Sequence, residues 1–420
     1  MKILIIGGGL AGVQTAYFLL NDGHEVTLVE RRDGFGQETS FANGGLITPS
    51  HAAPWNSPGI LGVLARSMGK RDSSIYVKPG AIANYLGWGL KFIRNSTRKR
   101  YRMTIERNFT LACYSQHCFH QMLEQVPLEF FHEKRGSIML YTSGSQFKEA
   151  TKRFEALQRQ GIKARLCTND ELVEIEPALK ANAQKLAGGI FFPGDEHGNA
   201  HDFTQAMAKY LQQNGVKFHT GVNVEGFITG NGTIEGIRSG HGDMKGDAII
   251  VAAGHWSTGL LKGLGINLTI RPVKGSSLTF NLPAWQNAPK IPVVDDELHV
   301  AVTPLQNSIR IVGTAEFCGY DPKVRPERMA MLKRAGIAIY PQLEAEIRNL
   351  EAKLEWSGHR PMTPDCMPVL GKCGFDNLYL NTGHGYLGWT TATGTSKALA
   401  HMVGGRQPEL NMEHYGLDRF

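Results

Sequence analysis

Cysteines are few in this sequence and form no pattern that would hold a metal or a disulfide framework. The six cysteines are scattered over 420 residues without a C-x-x-C pair. Zinc sites and disulfide-rich folds need cysteines at short, repeated spacings. We therefore expect no metal site, and scattered thiols favour a reducing, cytoplasmic location.

A long unbroken apolar run is also lacking. The opening stretch, MKILIIGGGLAGVQTAYFLL, is mostly apolar, but four glycines and Gln14 interrupt it. A secretory signal needs a continuous apolar segment and a small-residue cleavage site, and a membrane-spanning helix needs about 20 apolar residues. We expect neither here.

A strong charge imbalance is absent as well. The net charge of +7 is modest for this length, so nucleic acid is not an expected partner. Much of the excess lies in a run that follows Trp88, Leu90, Phe92 and Ile93 and contains Lys91, Arg94, Arg98, Lys99, Arg100 and Arg102. Two interpretations of residues 88–107 stay open. They form either a solvated helix face whose apolar side packs on the protein, or a peripheral contact with the inner face of the cell membrane.

The composition that remains is that of a globular protein with a large core. Hydrophobic residues make up 42% of the chain and charged residues 20%. Because a single core stops growing at about 250–300 residues, the length predicts two domains.

The opening stretch predicts a nucleotide-binding turn. Ile3–Ile6 is typical of a buried strand, and Ala11–Leu20 of a helix. Between them Gly7, Gly9 and Gly12 form G-x-G-x-x-G, which permits a tight turn, close approach of a pyrophosphate and close packing of helix on strand. The helix N-terminus would then face the phosphates.

The residues that follow support a dinucleotide and favour FAD over NAD. A second strand ends at Glu30, where a carboxylate can accept hydrogen bonds from an adenosine ribose. A loop rich in glycine and small polar residues then runs from Gly34 to Trp55, where a nicotinamide domain would continue with alternating strands and helices. Donors in this loop suit pyrophosphate and flavin oxygens.

Nucleotide-binding elements return far downstream, which predicts a discontinuous domain. A helix at 203–213, with Asp202 and Gln205 as its cap, precedes a strand through Val224. A buried strand follows at Ala248–Ala252.

A second glycine turn lies near the C-terminus. A strand at Leu378–Leu380 precedes Gly383, Gly385 and Gly388, and the helix after them ends at Gly404 and Gly405. Its N-terminus is expected to stabilise negative charge at the other end of the same cofactor.

Three segments carry a resemblance to a known family: ETSFANGGLITPSHAAPW, RPMTPDCMPVLG and LNTGHGYLGWT. On these segments the chain resembles the FAD-dependent D-amino acid oxidase superfamily over essentially its whole length, most closely the bacterial D-amino acid dehydrogenase small subunits. The resemblance implies oxidation of a D-amino acid to an imino acid, which water converts to a 2-oxo acid and ammonia. Electrons would pass to a quinone or another acceptor. It also implies noncovalent FAD, because Gly358 stands where relatives with covalent flavin have cysteine.

The expected fold class is α/β with an α+β substrate cap. The Rossmann-like FAD-binding domain is expected at residues 1–80, 160–270 and 355–420. The substrate-binding domain is expected at 81–159 and 271–354, with a mainly antiparallel sheet between Gly275 and Ala345 and a helix at Pro326–Ile339.

The candidate site residues follow from the motifs and the resemblance. Arg360 resembles the family's bidentate anchor for the substrate carboxylate, although a structural salt bridge to Asp365 is the alternative. His51 and Tyr320 are further catalytic candidates, and no obligatory general base is assigned. The cofactor-binding candidates are Gly7, Gly9, Leu10, Ala11, Gly12, Glu30, Arg31, Thr39, Ser40, Asn43, Gly44, Gly45, Leu46, Val224, Ala253, Gly254, Arg360, Gly385, Tyr386, Leu387, Gly388, Trp389 and Thr390.

Three other functions remain open at this point. Arg360 would serve an enzyme of the same superfamily that acts on sarcosine, proline, hydroxyproline or glycine. A flavin-free escort-type binding protein would share the fold. A flavin enzyme acting on tRNA would suit the basic balance of the chain.

Overall fold

The computed structural model describes residues 1–67, 73–159 and 161–420. The predicted FAD-binding segments 1–80 and 160–270 therefore include residues, 68–72 and 160, that lie outside the described ones. The α-helices of the described residues are α1 (Leu10–Asn21), α2 (Ile60–Ser67), α3 (Ile82–Arg94), α4 (Arg98–Gln125), α5 (Gly144–Arg159), α6 (Asn169–Ile175), α7 (Ala200–Gln213), α8 (Ser257–Lys262), α9 (Pro326–Ile339), α10 (Leu343–Glu346) and α11 (Gly388–Val403).

The strands of the described residues form two large and two small sheets. They are β1 (Lys2–Ile6), β2 (Glu25–Val29), β3 (Leu46–Ile47), β4 (Ile75–Val77), β5 (His132–Glu133), β6 (Ser137–Tyr141), β7 (Arg165–Cys167), β8 (Gly188–Phe192), β9 (Glu196–Gly198), β10 (Lys217–His219), β11 (Val224–Gly230), β12 (Thr233–Ser239), β13 (Met244–Lys245), β14 (Ala248–Val251), β15 (Arg271–Asn281), β16 (Val293–Asp295), β17 (Val300–Leu305), β18 (Ser308–Phe317), β19 (Leu354–Met362), β20 (Val369–Cys373) and β21 (Phe375–Thr382).

The first large sheet has the order β10-β2-β1-β14-β21-β20 and confirms the Rossmann-like prediction. Its first five strands are parallel, and β20 is an antiparallel edge. Side chains of α1, α4, α7 and α11 pack on one face, and the small β11-β12-β13 sheet packs on the other. Burial on both faces explains why β1 and β14 are continuous apolar runs. The predicted strand, turn and helix at the N-terminus are confirmed, as is the end of α11 at Gly404.

Two details of the downstream segment were predicted wrongly. Helix α7 begins at Ala200, and the side chain of Asn199, not Asp202 or Gln205, caps it by accepting from two backbone N–H groups. The predicted strand through Val224 is broken: β10 pairs in the large sheet, whereas β11 starts a separate small sheet. Caps and breaks depend on local backbone angles that apolar periodicity does not encode.

The second large sheet is mainly antiparallel, as predicted, with the order β19-β15-β18-β17-β16-β6-β8-β7 and β4 paired to β18. Helix α9 has the predicted bounds and packs on this sheet. Strands β4, β7, β8 and β19 belong here, although their residues were predicted to lie almost entirely in the FAD-binding segments. Conversely, α4 was assigned to the substrate domain but packs in the core of the first sheet. A strand pattern predicts a strand but does not identify its neighbours.

Helix α3 carries the aromatic residues of the basic run on its inner face. Trp88 and Phe92 are buried against the second sheet, so they are not the lipid anchors that one interpretation required. Leu90 and Ile93 are exposed. Among the described residues, no helix has both the length and the apolar content to cross a membrane.

Candidate functional site

A cavity of about 740 Å³ is lined by residues of both large sheets and of the loop at 38–55. This volume is in the usual range of cofactor and ligand sites. Of the predicted site residues, all line the cavity except Gly12 and Tyr320. The two glycine turns, which lie at opposite ends of the sequence, therefore line one cavity.

The N-terminal turn has the predicted tight geometry. Gly7 has a φ of +114°, which favours glycine, and a Cβ at Gly12 would overlap the carbonyl oxygen of Gly7. Gly12 thus lies behind the cavity wall and permits close packing of α1 on the turn. A Cβ at Gly9 would come 3.3 Å from the Ser40 hydroxyl, and that hydroxyl accepts a hydrogen bond from the Leu10 N–H at 3.2 Å. Backbone therefore forms the wall at the N-terminus of α1.

Glu30 is held in place at the end of β2. One carboxylate oxygen accepts from the Gly8 N–H at 2.6 Å and the other from the Arg32 N–H at 2.8 Å. Each oxygen retains a lone pair, so the carboxylate can also accept from hydroxyl groups inside the cavity. Its neighbour Arg31 pairs with Glu38 and lies 4.0 Å from the centre of the Trp256 ring.

The C-terminal turn forms the other end of the cavity. A short turn at Gly385–Leu387 leads into α11, whose first residues Gly388, Trp389 and Thr390 line the wall. The N-terminus of α11 carries a partial positive charge. His384 lies at the same end, with Nε2 3.0 Å from the Thr395 hydroxyl. Burial lowers the pKa of His384 to about 4, so this imidazole is neutral at pH 7.

Arg360 faces the cavity from β19 without an acidic partner among the described residues. Its Nη1 donates to the Thr314 carbonyl at 3.0 Å, and its guanidinium lies 5.4 Å from the centre of the Trp55 ring. Burial lowers the pKa of Arg360 to about 10, which still leaves it charged at neutral pH. The alternative partner Asp365 is bound by Arg419 at 2.7 Å. The salt-bridge interpretation of Arg360 is therefore wrong.

Two backbone features of the neighbouring strands position Arg360. A Cβ at Gly275 on β15 would overlap the guanidinium, so any larger residue there would displace the Arg360 side chain from its position. Thr314 has a φ of +66°, an unusual value for a β-branched residue. It lies at an irregularity in the pairing of β18 with β15, and such irregularities redirect backbone groups. Here the Thr314 carbonyl points at Arg360.

The remaining catalytic candidates differ in position. His51 lines the cavity, but its Nε2 is buried without a hydrogen-bond partner. Burial lowers the pKa of His51, so the neutral form is favoured. Tyr320 lies outside the wall, 45% exposed, and packs against His255 and Trp256. The structure therefore does not bring Tyr320 to the site.

Several cavity residues were missed from sequence. Trp55 stacks on Tyr386, with ring centres 5.2 Å apart, and its ring centre lies 5.4 Å from the Arg360 guanidinium. Trp256 follows β14 and covers the end of the cavity near Glu30. Trp55 is the last residue of the predicted cofactor loop, and Trp256 lies two positions after Gly254. An aromatic residue in or beside such a segment was the available signal.

The residues present fit an extended dinucleotide such as FAD. One end offers a glycine turn, a helix N-terminus and an oriented carboxylate, and the other offers a second helix N-terminus. The walls between them are mostly backbone and apolar side chains. Those are the groups that ribose, pyrophosphate and an isoalloxazine ring require.

Comparisons with known proteins match this chain over its whole length. A sequence profile described as FAD dependent oxidoreductase matches residues 2–402. D-amino acid dehydrogenase of Paramagnetospirillum magneticum is 36% identical over 421 residues, covering 100% of this chain and 99% of that protein. Glycine oxidase from Bacillus cereus is similar in structure with a TM-score of 0.76 at 22% identity, covering 100% and 99% of the two chains. L-proline dehydrogenase from P. horikoshii has a TM-score of 0.78 at 20% identity, covering 100% and 97%. The two solved structures support the fold alone.

Proposed function

The chain belongs to the family of FAD-dependent oxidoreductases, and from that premise we propose that it oxidises free D-amino acids to 2-oxo acids and ammonia. The relative of 36% identity is named for this substrate class. Noncovalent binding of FAD is part of the proposal, because Gly358 offers no thiol at the position where relatives with covalent flavin carry one.

The observation that carries the proposal is that the charge of Arg360 has no acidic counterpart in the described part of the chain. A buried cation without a counterion is costly, and a bound anion would relieve that cost. A guanidinium fork matches the two oxygens of a carboxylate in one plane. A free amino acid supplies such a group, whereas a peptide-linked residue or a simple amine does not.

Arg360 and the residues around it orient the substrate. Arg360 holds the carboxylate, and the Trp55 ring, which is stacked on Tyr386, packs beside the guanidinium. The aromatic walls exclude water and suit an apolar side chain. Bound FAD supplies the acceptor for the hydride of the α-carbon. The N-terminus of α11 would stabilise negative charge on a reduced flavin whose ring is bound at this end of the cavity. The ammonium proton is lost to solvent in this proposal, and no side chain is assigned as an obligatory base.

The finer part of the proposal concerns the electron acceptor. A quinone dissolved in the membrane is proposed, because the relative is named as a dehydrogenase and not as an oxidase. Peripheral contact with the cytoplasmic face of the membrane would bring the chain to this acceptor.

The test is a substrate and acceptor panel. Purified protein should be yellow and should reduce an artificial dye with D-alanine or D-proline, much more slowly with their L-enantiomers, and slowly with oxygen alone. A short-chain quinone should replace the dye. Turnover with glycine, sarcosine or L-proline but not with D-amino acids would contradict the proposed substrate class. A colourless protein that takes up no FAD would support the escort-type alternative.

Glu30→Gln should weaken FAD binding with little change in substrate preference. Glutamine presents an NH₂ group to one of the two backbone N–H donors and removes the charge that strengthens hydrogen bonds to ribose. Loss of one charged hydrogen bond costs about 1.5–3 kcal/mol, so the Kd for FAD should rise roughly ten- to hundredfold. Fluorescence titration of apoprotein with FAD measures this. The exposed Glu344→Gln is the matched control, and an unchanged Kd for Glu30→Gln would remove Glu30 from the ribose site.

A further inference from the structure

Arg310 is buried on β18 without an acidic partner among the described residues. The residue is only 6% exposed, and its guanidinium donates to a carbonyl and a hydroxyl oxygen. Burial lowers the pKa of Arg310 to about 10, which leaves it charged at neutral pH. A buried cation is costly unless negative charge compensates it. Unlike Arg360, Arg310 does not line the cavity, so a ligand there would not contact it directly.

Arg310 binds the loop at 38–55 from behind. Its Nη1 donates to the Asn43 carbonyl at 3.1 Å, and its Nε donates to the Thr279 hydroxyl at 3.1 Å. The Thr303 hydroxyl donates to the next carbonyl, that of Gly44, at 2.8 Å. Thr279 on β15 and Thr303 on β17 both lie opposite Arg310 in the strand register. Three neighbouring strands therefore hold two successive carbonyls of the loop.

The peptide group held in this way presents its N–H to the cavity. The bond between Asn43 and Gly44 is trans, so its N–H points away from its carbonyl. The carbonyl points at Arg310, whereas Gly44 and both of its neighbours line the cavity. The Gly44 N–H donates no hydrogen bond within the described residues. The following N–H, of Gly45, donates to Asn43 Oδ1 at 3.0 Å.

A charged hydrogen bond to the carbonyl polarises this peptide group. Charge-assisted hydrogen bonds are stronger than neutral ones, and a hydrogen bond at one end of a peptide group strengthens the bond at its other end. We propose that Arg310 is a positioning residue that acts through the Gly44 N–H on bound FAD and raises the reduction potential of the flavin. The flavin gains electrons when it is reduced, so a nearby positive charge stabilises the reduced form more than the oxidised form.

The expected effect is moderate, because the charge acts across one peptide group. From Arg310 Nη1, the 3.1 Å bond to Asn43, the peptide group and a second hydrogen bond place an acceptor about 8 Å away. At this separation in partly buried surroundings, one unit charge changes an equilibrium constant by roughly tenfold or more. The inference rests on the proposed oxidation by bound FAD but not on which substrate is oxidised.

The midpoint potential of the bound flavin tests the proposal. Arg310→Gln keeps an amide donor but removes the charge, so the affinity for reduced FAD relative to oxidised FAD should fall about tenfold. For a two-electron couple this lowers the midpoint potential by about 30 mV. Arg310→Lys keeps the charge and should have a potential close to that of the wild type. Photoreduction beside a reference dye measures the potential without any amino acid, so the result does not depend on the proposed substrate class.

Arg328→Gln is the matched control. Arg328 of α9 is also buried, but Glu316 lies 3.8 Å from its Nε. This variant should unfold at a lower temperature and keep the wild-type potential. An unchanged potential in Arg310→Gln would overturn the proposal. An equal fall in Arg310→Lys or in Arg328→Gln would also overturn it, because the effect would then come from altered packing and not from the charge of Arg310.

A measurement on the wild type covers the case in which Arg310→Gln does not retain its flavin. Hydrogen exchange of the Gly44 amide, followed by NMR on protein labelled with ¹⁵N-glycine, should slow when FAD binds and slow again when the flavin is reduced. An exchange rate that is the same in the apoprotein, the oxidised protein and the reduced protein would show that the Gly44 N–H does not bind the cofactor, and the proposal would fail.

Discussion

Arg360→Met should lower kcat/KM for D-alanine by roughly a hundred- to ten-thousandfold while FAD stays bound. The guanidinium donates two charged hydrogen bonds to the substrate carboxylate in the proposed function, and each contributes about 1.5–3 kcal/mol. Methionine fills similar space against Trp55 without charge, so the cavity wall is retained. The kcat/KM of Arg360→Lys should lie between those of the wild type and Arg360→Met, since an ammonium keeps the charge but cannot bind both carboxylate oxygens as a guanidinium does. Steady-state kinetics with the dye acceptor measure both variants.

A substrate without a carboxylate distinguishes binding from a structural role. D-alanine amide should be a poor substrate of the wild type, and Arg360→Met should change its turnover little. If the substitution impairs the amide and the acid equally, Arg360 supports the structure and does not bind substrate. Arg419→Lys is the matched control, because this arginine is compensated by Asp365; it should alter thermal stability more than kcat/KM.

Gly12→Ala should abolish most FAD binding and destabilise the first domain. The added methyl group would overlap the carbonyl oxygen of Gly7, which is backbone and cannot rotate away. Moving α1 from β1 displaces the turn that would face the pyrophosphate. Overpacking of this kind costs about 3 kcal/mol, and flavin content after purification should fall about tenfold. The absorbance ratio of flavin to protein and a thermal melt measure the two effects.

The control for this substitution is another helical glycine. Gly87 lies on α3 with open space around the position of a Cβ, so Gly87→Ala should bind FAD normally and be slightly more stable, by about 0.5–1 kcal/mol. A yellow, fully loaded Gly12→Ala protein would show that the packing of α1 on the turn is not required for the cofactor.

The parts of the site that were predicted from sequence are those encoded within short segments. Gly7, Gly9 and Gly12 have to precede a helix and follow a strand to form the turn, and all of that lies within twenty residues. The same is true of the second turn before α11. Helix α9 was predicted with its bounds, and Pro326 does occupy the first turn, where proline is favoured. Local backbone geometry and local periodicity are sufficient for such features.

The parts that were missed depend on contacts between distant strands. No pattern in the sequence indicates that the Thr314 carbonyl points at Arg360, or that Gly275 leaves room for its side chain. The assignment of β7, β8 and β19 to a sheet could not be made, because strand neighbours are chosen by packing of the whole chain. Tyr320 was a reasonable candidate by position in sequence, but it packs against the outer side of His255 and Trp256 and does not line the cavity.

By itself, the sequence determined the cofactor class, since the two glycine turns and Glu30 act through backbone geometry that a few consecutive residues specify. Only the tertiary structure decided that Arg360 has no acidic partner among the described residues, because Asp365, five positions away, is bound by Arg419 from the C-terminal end. The tertiary structure also decided which side of α3 is buried. Helix α3 has apolar residues on two sides, and the sequence does not indicate which of them packs on the protein.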